Sequence, residues 1–100
     1  MTLYLNNKKG LFHATCEYQN SVYIVKKGSK IKATFADYIK GGKTSKRYRD
    51  NVEYVNSEGI LLQDCIFKSP STAAQFVMGA SANGRLVWKN ADGKKLKDII

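Results

Sequence analysis

The chain has 100 residues, 43% of them hydrophobic with a single proline, and carries 17 Lys and Arg against 8 Asp and Glu, a net charge of +9. That length suits one domain over residues 1–100 with one core, burying roughly 65% of the unfolded surface. No apolar run approaches the ~20 residues that cross a bilayer, which excludes a membrane-spanning helix. Met1 leads into TLYLNNKK rather than a basic start and apolar block, so no secretory signal is read and a cytoplasmic location is expected.

In chain order, Leu11 to Tyr18 and Ser21 to Val25 read as two strands of a hairpin joined at Gln19 and Asn20. Lys26 to Ser29 follows as a turn eased by Gly28. Ile31 to Ile39 continues the sheet by alternation, with Ile31, Ala33 and Phe35 against Lys32 and Thr34, until Gly41 and Gly42 stop it. Gly41 to Ser45 reads as a loop. Lys46 to Ser57 predicts a helix with Tyr48, Val52 and Val55 as its apolar stripe, Thr44 or Ser45 as its cap and Gly59 as its end. Ile60 to Phe67 returns as a strand.

Ser69 to Trp88, SPSTAAQFVMGASANGRLVW, carries the clearest local signals. Ser69 can accept from a free N–H of a first helical turn, and Pro70 fits the first helical position, where its fixed φ suits the helix. Ala73, Phe76 and Val77 give an apolar face, and Gly79 can adopt the left-handed conformation that closes the helix. Asn83 and Gly84 are expected to take positive φ and turn the chain into a strand at Arg85 to Trp88, with Leu86 and Trp88 on one side. Asn90 to Gly93 offers another turn. The fold class is α+β: an antiparallel sheet of about five strands with two helices in two layers. Leu11, Ile24, Val52, Val55, Leu62, Phe67, Ala74, Phe76, Val77, Leu86 and Trp88 form the expected core.

Charge is concentrated. Residues 22–49 hold nine basic residues, Lys26, Lys27, Lys30, Lys32, Lys40, Lys43, Lys46, Arg47 and Arg49, against Asp37 alone, while the rest of the chain carries eight basic and seven acidic groups. A local excess of this kind predicts a surface for a polyanion, with nucleic acid preferred and DNA favoured. Lys26, Lys27, Lys30, Lys32, Lys43, Lys46, Arg47, Arg49, Arg85 and Lys89 are the candidate contacts. In a helix beginning at Lys46, the bases at 46, 47 and 49 would oppose the helix dipole, and an anion beside Gly41 and Gly42 would relieve that penalty. Tyr38 and Tyr48, interleaved with these bases, are candidates for stacking on nucleic-acid bases. The bland alternative is a solvated basic loop. A second functional reading is a protein-interaction domain that docks an acidic partner.

Catalytic patterns are weak, and no enzyme, cofactor or metal site is expected. GGKTS at 41–45 lacks the spacing of a phosphate-binding P-loop. Val22, Tyr23 and Ile24, followed by Tyr38, Ile39, GGKT and Arg47, are faintly similar to a GIY-YIG nuclease, but Lys40 stands where the second motif needs glycine. No carboxylate lies between Asp64 and Asp92 to serve as the metal ligand. Cys16 and Cys65 are far apart and read as buried thiols, and His13 would face away from Cys16 on a strand.

SPSTAAQFV, GASANG, Trp88-Lys89 and DGKKL at Asp92 to Leu96, with weaker echoes in YIVKKGS and EGIL, resemble a family designated domain of unknown function 4357. The resemblance spans 22–96. That family is similar to restriction-enzyme adenine-methylase-associated (RAMA) domains, and Arg85 stands where such sequences place an aromatic residue after the Asn-Gly pair. The resemblance implies an accessory role in restriction-modification or nuclease systems, with a nuclease or methylase as partner and a modified base as one ligand for such a module.

Overall fold

The computed structural model describes residues 1–36 and 42–100. Among them are four antiparallel strands in sequential order: β1 (Thr2–Asn6), β2 (His13–Gln19), β3 (Val22–Val25) and β4 (Cys65–Phe67). Strict alternation sets the register. Leu3 pairs with Cys16, Leu5 with Ala14, Cys16 with Val25, and Val25 with Cys65, so one face is wholly apolar. The expected β2–β3 hairpin forms, but its turn lies one residue later, at Asn20 and Ser21 with φ 51° and 64°, because Gln19 still pairs with Val22 in the sheet. Two successive positive φ values match the right-handed twist of the strands they connect.

Three helices follow among the described residues: α1 (Lys43–Arg49), α2 (Pro70–Met78) and α3 (Gly84–Val87), with a 3₁₀ turn at Leu96–Asp98. The apolar face of the sheet packs into one core with Ala73, Ala74, Phe76 and Val77 of α2, Trp88 and Leu96. The limits of α2 agree with the sequence: Ser69 Oγ accepts from the Thr72 N–H at 3.1 Å, Pro70 leads the helix, and Gly79 ends it at φ 68°. The Lys26–Ser29 and Asn90–Gly93 turns also form where expected.

Elsewhere the fold departs from the expectation. Among the described residues the sheet has four strands rather than five, since Ile31 to Ala36 and Arg85 to Trp88 are not strands while β1 is gained, and there are three helices rather than two, since Gly84–Val87 is helical. Asn83 stays extended at φ −93° and caps α3 through its side chain, which accepts from the Arg85 N–H. In a helix, positions 86 and 88 lie on nearly opposite sides, so Leu86 is 42% exposed while Trp88 is fully buried. Strand-like pairing starts one residue later, where Lys89 exchanges both backbone hydrogen bonds with Tyr4 on β1. β1 itself is an element the sequence did not announce.

The helix expected from Lys46 to Ser57 instead runs from Lys43 to Arg49, with Gly42 rather than Thr44 or Ser45 at its N-cap. Asn51 ends it: its side chain accepts from the Glu53 N–H, a local bond that competes with helix. Val52 is therefore 82% exposed, whereas Val55 remains buried. Gly59, at φ 79°, belongs to a separate turn organised by the Asn56 side chain.

Ile31 to Ala36 is not a strand, and residues 37–39 of that expected strand lie outside the described residues. The Lys32 and Ala36 N–H groups donate to the Val77 and Gly79 carbonyls, so this segment serves the end of α2 rather than the sheet. Of Ile60 to Phe67 only Cys65–Phe67 is strand, Ile60 and Leu61 making isolated bridges. Leu11 and Leu62 are exposed, and Ile24 is half-buried because it pairs with Ile66 on the outer face of the sheet. No helix among the described residues is long and apolar enough to cross a membrane.

Candidate nucleic-acid interface

The short α1 sorts its residues by face. Lys43, Lys46 and Arg47 fall at i, i+3 and i+4 and are all exposed, so they form one basic stripe. Ser45, Tyr48 and Arg49 fall on the other side, where Ser45 is fully buried and the other two are partly covered. Because the helix begins three residues earlier than the sequence suggested, its last turn, not its first, holds Lys46, Arg47 and Arg49. Cations there complement the dipole. The expected penalty does not arise, and α1 needs no anion to relieve it.

Arg49 is a structural clasp. Its Nε donates to the Phe76 carbonyl at 3.0 Å and its Nη1 to the Lys32 carbonyl at 2.7 Å, with the guanidinium carbon 4.9 Å from the centre of the Phe35 ring. Burial pulls its pKa below the ordinary value, partly offset by Asp50. Together with the N–H groups of Lys32 and Ala36, it satisfies carbonyls that the last turn of α2 leaves open. Its donors face the protein, which removes it from the phosphate-binding set.

Tyr48 is likewise framework rather than stacking platform. Its ring packs edge-on against Tyr54, Phe67 and Phe76 with centroids 5.0, 5.4 and 6.0 Å away, and its hydroxyl accepts from the Ile66 N–H at 3.2 Å. That bond occupies an open backbone group on β4, the last strand of the sheet. Tyr38 lies outside the described residues.

The other candidate bases are dispersed. Lys26 Nζ lies 2.8 Å from the Asp64 carboxylate, whose second oxygen accepts from the Lys27 N–H. These bonds, the Lys26 side chain foremost, hold Asp64 below its usual pKa. Lys27 is exposed beside them, Lys30 donates to the Gly10 carbonyl, and Lys32 is half-buried. Arg85 on α3 reaches the Ile100 carbonyl at 2.9 Å. Lys89 stands beyond β1, at the other end of the sheet from β4. The structure therefore gathers Lys43, Lys46 and Arg47 onto one surface and leaves the remainder as outlying positive charge.

Both cysteines are buried and free, and desolvation pushes each thiol up to about 12. His13 is exposed and points away from Cys16, as the strand alternation predicts.

The family model described as Domain of unknown function (DUF4357) matches residues 3–100. The chain belongs to this family. The match extends the resemblance over 22–96 to nearly the whole length and takes in β1. No curated protein and no solved structure matches the chain significantly. Within the DUF4357 domain, the motif residues that stand out in the sequence prove to be packing devices. Trp88 Nε1 donates to the Pro70 carbonyl at 3.0 Å, and a Cβ on Gly84 would collide with that same oxygen. SPSTAAQFV, GASANG and Trp88 thus interlock as one unit.

Proposed function

We propose that the chain is a non-catalytic nucleic-acid-binding module, with DNA the favoured ligand, acting as an accessory to restriction-type or nuclease systems in the cytoplasm. One observation carries this reading: the exposed Lys43, Lys46 and Arg47 stripe on α1, in a chain whose 17 basic residues outnumber its 8 acids. Eight acids cannot neutralise seventeen bases, so the surface keeps a net attraction for polyanions whatever pairs form. A stripe of three cations along one helix face suits the phosphates of a backbone, which position a protein without conveying sequence. Lys27, Lys30, Lys32 and Lys89 add to the field, while Arg49 and Tyr48 support the helix that bears the stripe. A relationship to RAMA domains, and with it the reading of a modified base, fits this proposal as its finer part.

Competition tests it. Labelled duplex DNA bound at low salt is challenged with unlabelled DNA, heparin and an acidic peptide at matched charge. Displacement by DNA well ahead of the other two supports the proposal; equal displacement by all three would reduce the surface to unspecific charge attraction.

A further inference from the structure

A second surface lies at the far end of the sheet. An open groove of about 710 Å³ runs between β1, the end of α2, α3 and the hairpin that follows Trp88. Its apolar side comes from Leu5, Phe12, Met78, Leu86 and Val87, and Leu86 stands 42% exposed there. A leucine in this position meets no requirement of the core, which Trp88 fills from the other side of the same short helix. Lys89 and Lys95 supply the charge of the groove.

These lysines are placed at a cost. Lys89 gives its N–H and carbonyl to Tyr4, and it faces Lys95 across the hairpin as a pair without direct backbone hydrogen bonds. This is the arrangement in which opposed side chains stand closest, and like charges directly opposite destabilise a hairpin. Two exposed lysines paired across a hairpin beside exposed aliphatic surface match carboxylates held next to aliphatic side chains. The groove lining is more aliphatic than aromatic, which suits leucine-type residues better than stacked bases.

We propose that this groove docks an acidic amphipathic segment of a partner protein, its apolar side chains against Met78, Leu86 and Val87 and its carboxylates between Lys89 and Lys95. The site is separate from the α1 stripe and does not depend on the nucleic-acid reading.

The test uses a synthetic helical peptide with leucine on one face and glutamate beside it, together with its glutamine counterpart, titrated into the isotope-labelled chain and followed by amide chemical shifts. The glutamate peptide should shift Tyr4, Leu86, Val87, Lys89 and Lys95 and bind at least about tenfold more tightly than the glutamine peptide, with Leu86→Gln and Lys95→Gln each weakening it by a similar factor. Both substitutions are at exposed positions, and an unchanged melting temperature confirms that the variants fold. Shifts spread over α1 and the 26–30 turn, or binding unaffected by either substitution, would overturn the docking site. So would occupation of the groove by a short single-stranded oligonucleotide in preference to the peptide. Duplex binding retained by Leu86→Gln alongside abolished peptide binding would show the two surfaces to be independent.

Discussion

Arg49 grips Phe76 twice, by a hydrogen bond from Nε to its carbonyl and by the guanidinium carbon 5.7 Å from its ring centre. A residue that reads as surface charge in the sequence thereby joins α1 to the end of α2. Arg49→Lys keeps the charge but cannot supply the fork, leaving the Phe76 or Lys32 carbonyl without its donor. It should lower stability by about 1 to 3 kcal/mol in urea unfolding. Equal unfolding midpoints for the two chains would show that the clasp contributes nothing.

Gly84 and Asn83 should differ sharply. Gly84→Ala drives a methyl group into the Pro70 carbonyl and the Ser71 nitrogen, backbone atoms that cannot step aside. Loss of cooperative thermal unfolding is expected. Asn83→Ala removes only the cap of α3 and should cost about 1 kcal/mol. The opposite ranking would return the pair to the positive-φ turn that the sequence suggested.

Acid should weaken the Lys26–Asp64 link. The native state holds the Asp64 pKa below its ordinary value of 3.8, chiefly through Lys26. Its contribution is therefore present above that value and is lost as pH falls through the lower native one. Asp64→Asn should melt slightly below the native chain at pH 7, and the difference should close in strong acid. A difference that persists unchanged at the lowest pH would assign the effect to packing instead.

The thiols should be silent. With both cysteines buried and their pKa values pushed up to about 12, an aromatic disulfide reagent at pH 8 should react only after denaturant is added. Prompt reaction of one equivalent in the native chain would place one thiol at the surface.

What the sequence reveals depends on whether a signal is local. Ser69, Pro70 and Gly79 act within one helix, and their roles can be read directly. The β2–β3 hairpin is legible for the same reason, although its turn falls at Asn20 and Ser21, one residue beyond the expected Gln19 and Asn20. The fate of Ile31 to Ala36 is not legible, because its hydrogen bonds go to carbonyls at Val77 and Gly79, more than forty residues away. Gly84 stands out in the sequence for the wrong reason: nothing in Asn-Gly announces that Pro70 will press against it. The basic stripe shows the same divide. Lys43, Lys46 and Arg47 are each visible as charges, yet a start of α1 misplaced by three residues hides their common face and enlists Arg49 and Tyr48. Lys95 and Leu86 give no sign of a groove, since only the pairing of Lys89 with Tyr4 and Lys95 brings them together.

The central claim is that α1 meets phosphates, and the salt dependence of duplex DNA binding tests it most directly. The native chain is compared with one carrying Lys43→Ala, Lys46→Ala and Arg47→Ala, whose exposed positions should leave the fold intact. Each phosphate no longer neutralised should reduce the slope of log affinity against log salt by about 0.9, so the triple variant should bind more weakly and with a visibly shallower slope. Identical slopes and affinities would contradict the assignment of α1 as the phosphate face, and no binding by the native chain at low salt would contradict the nucleic-acid function itself.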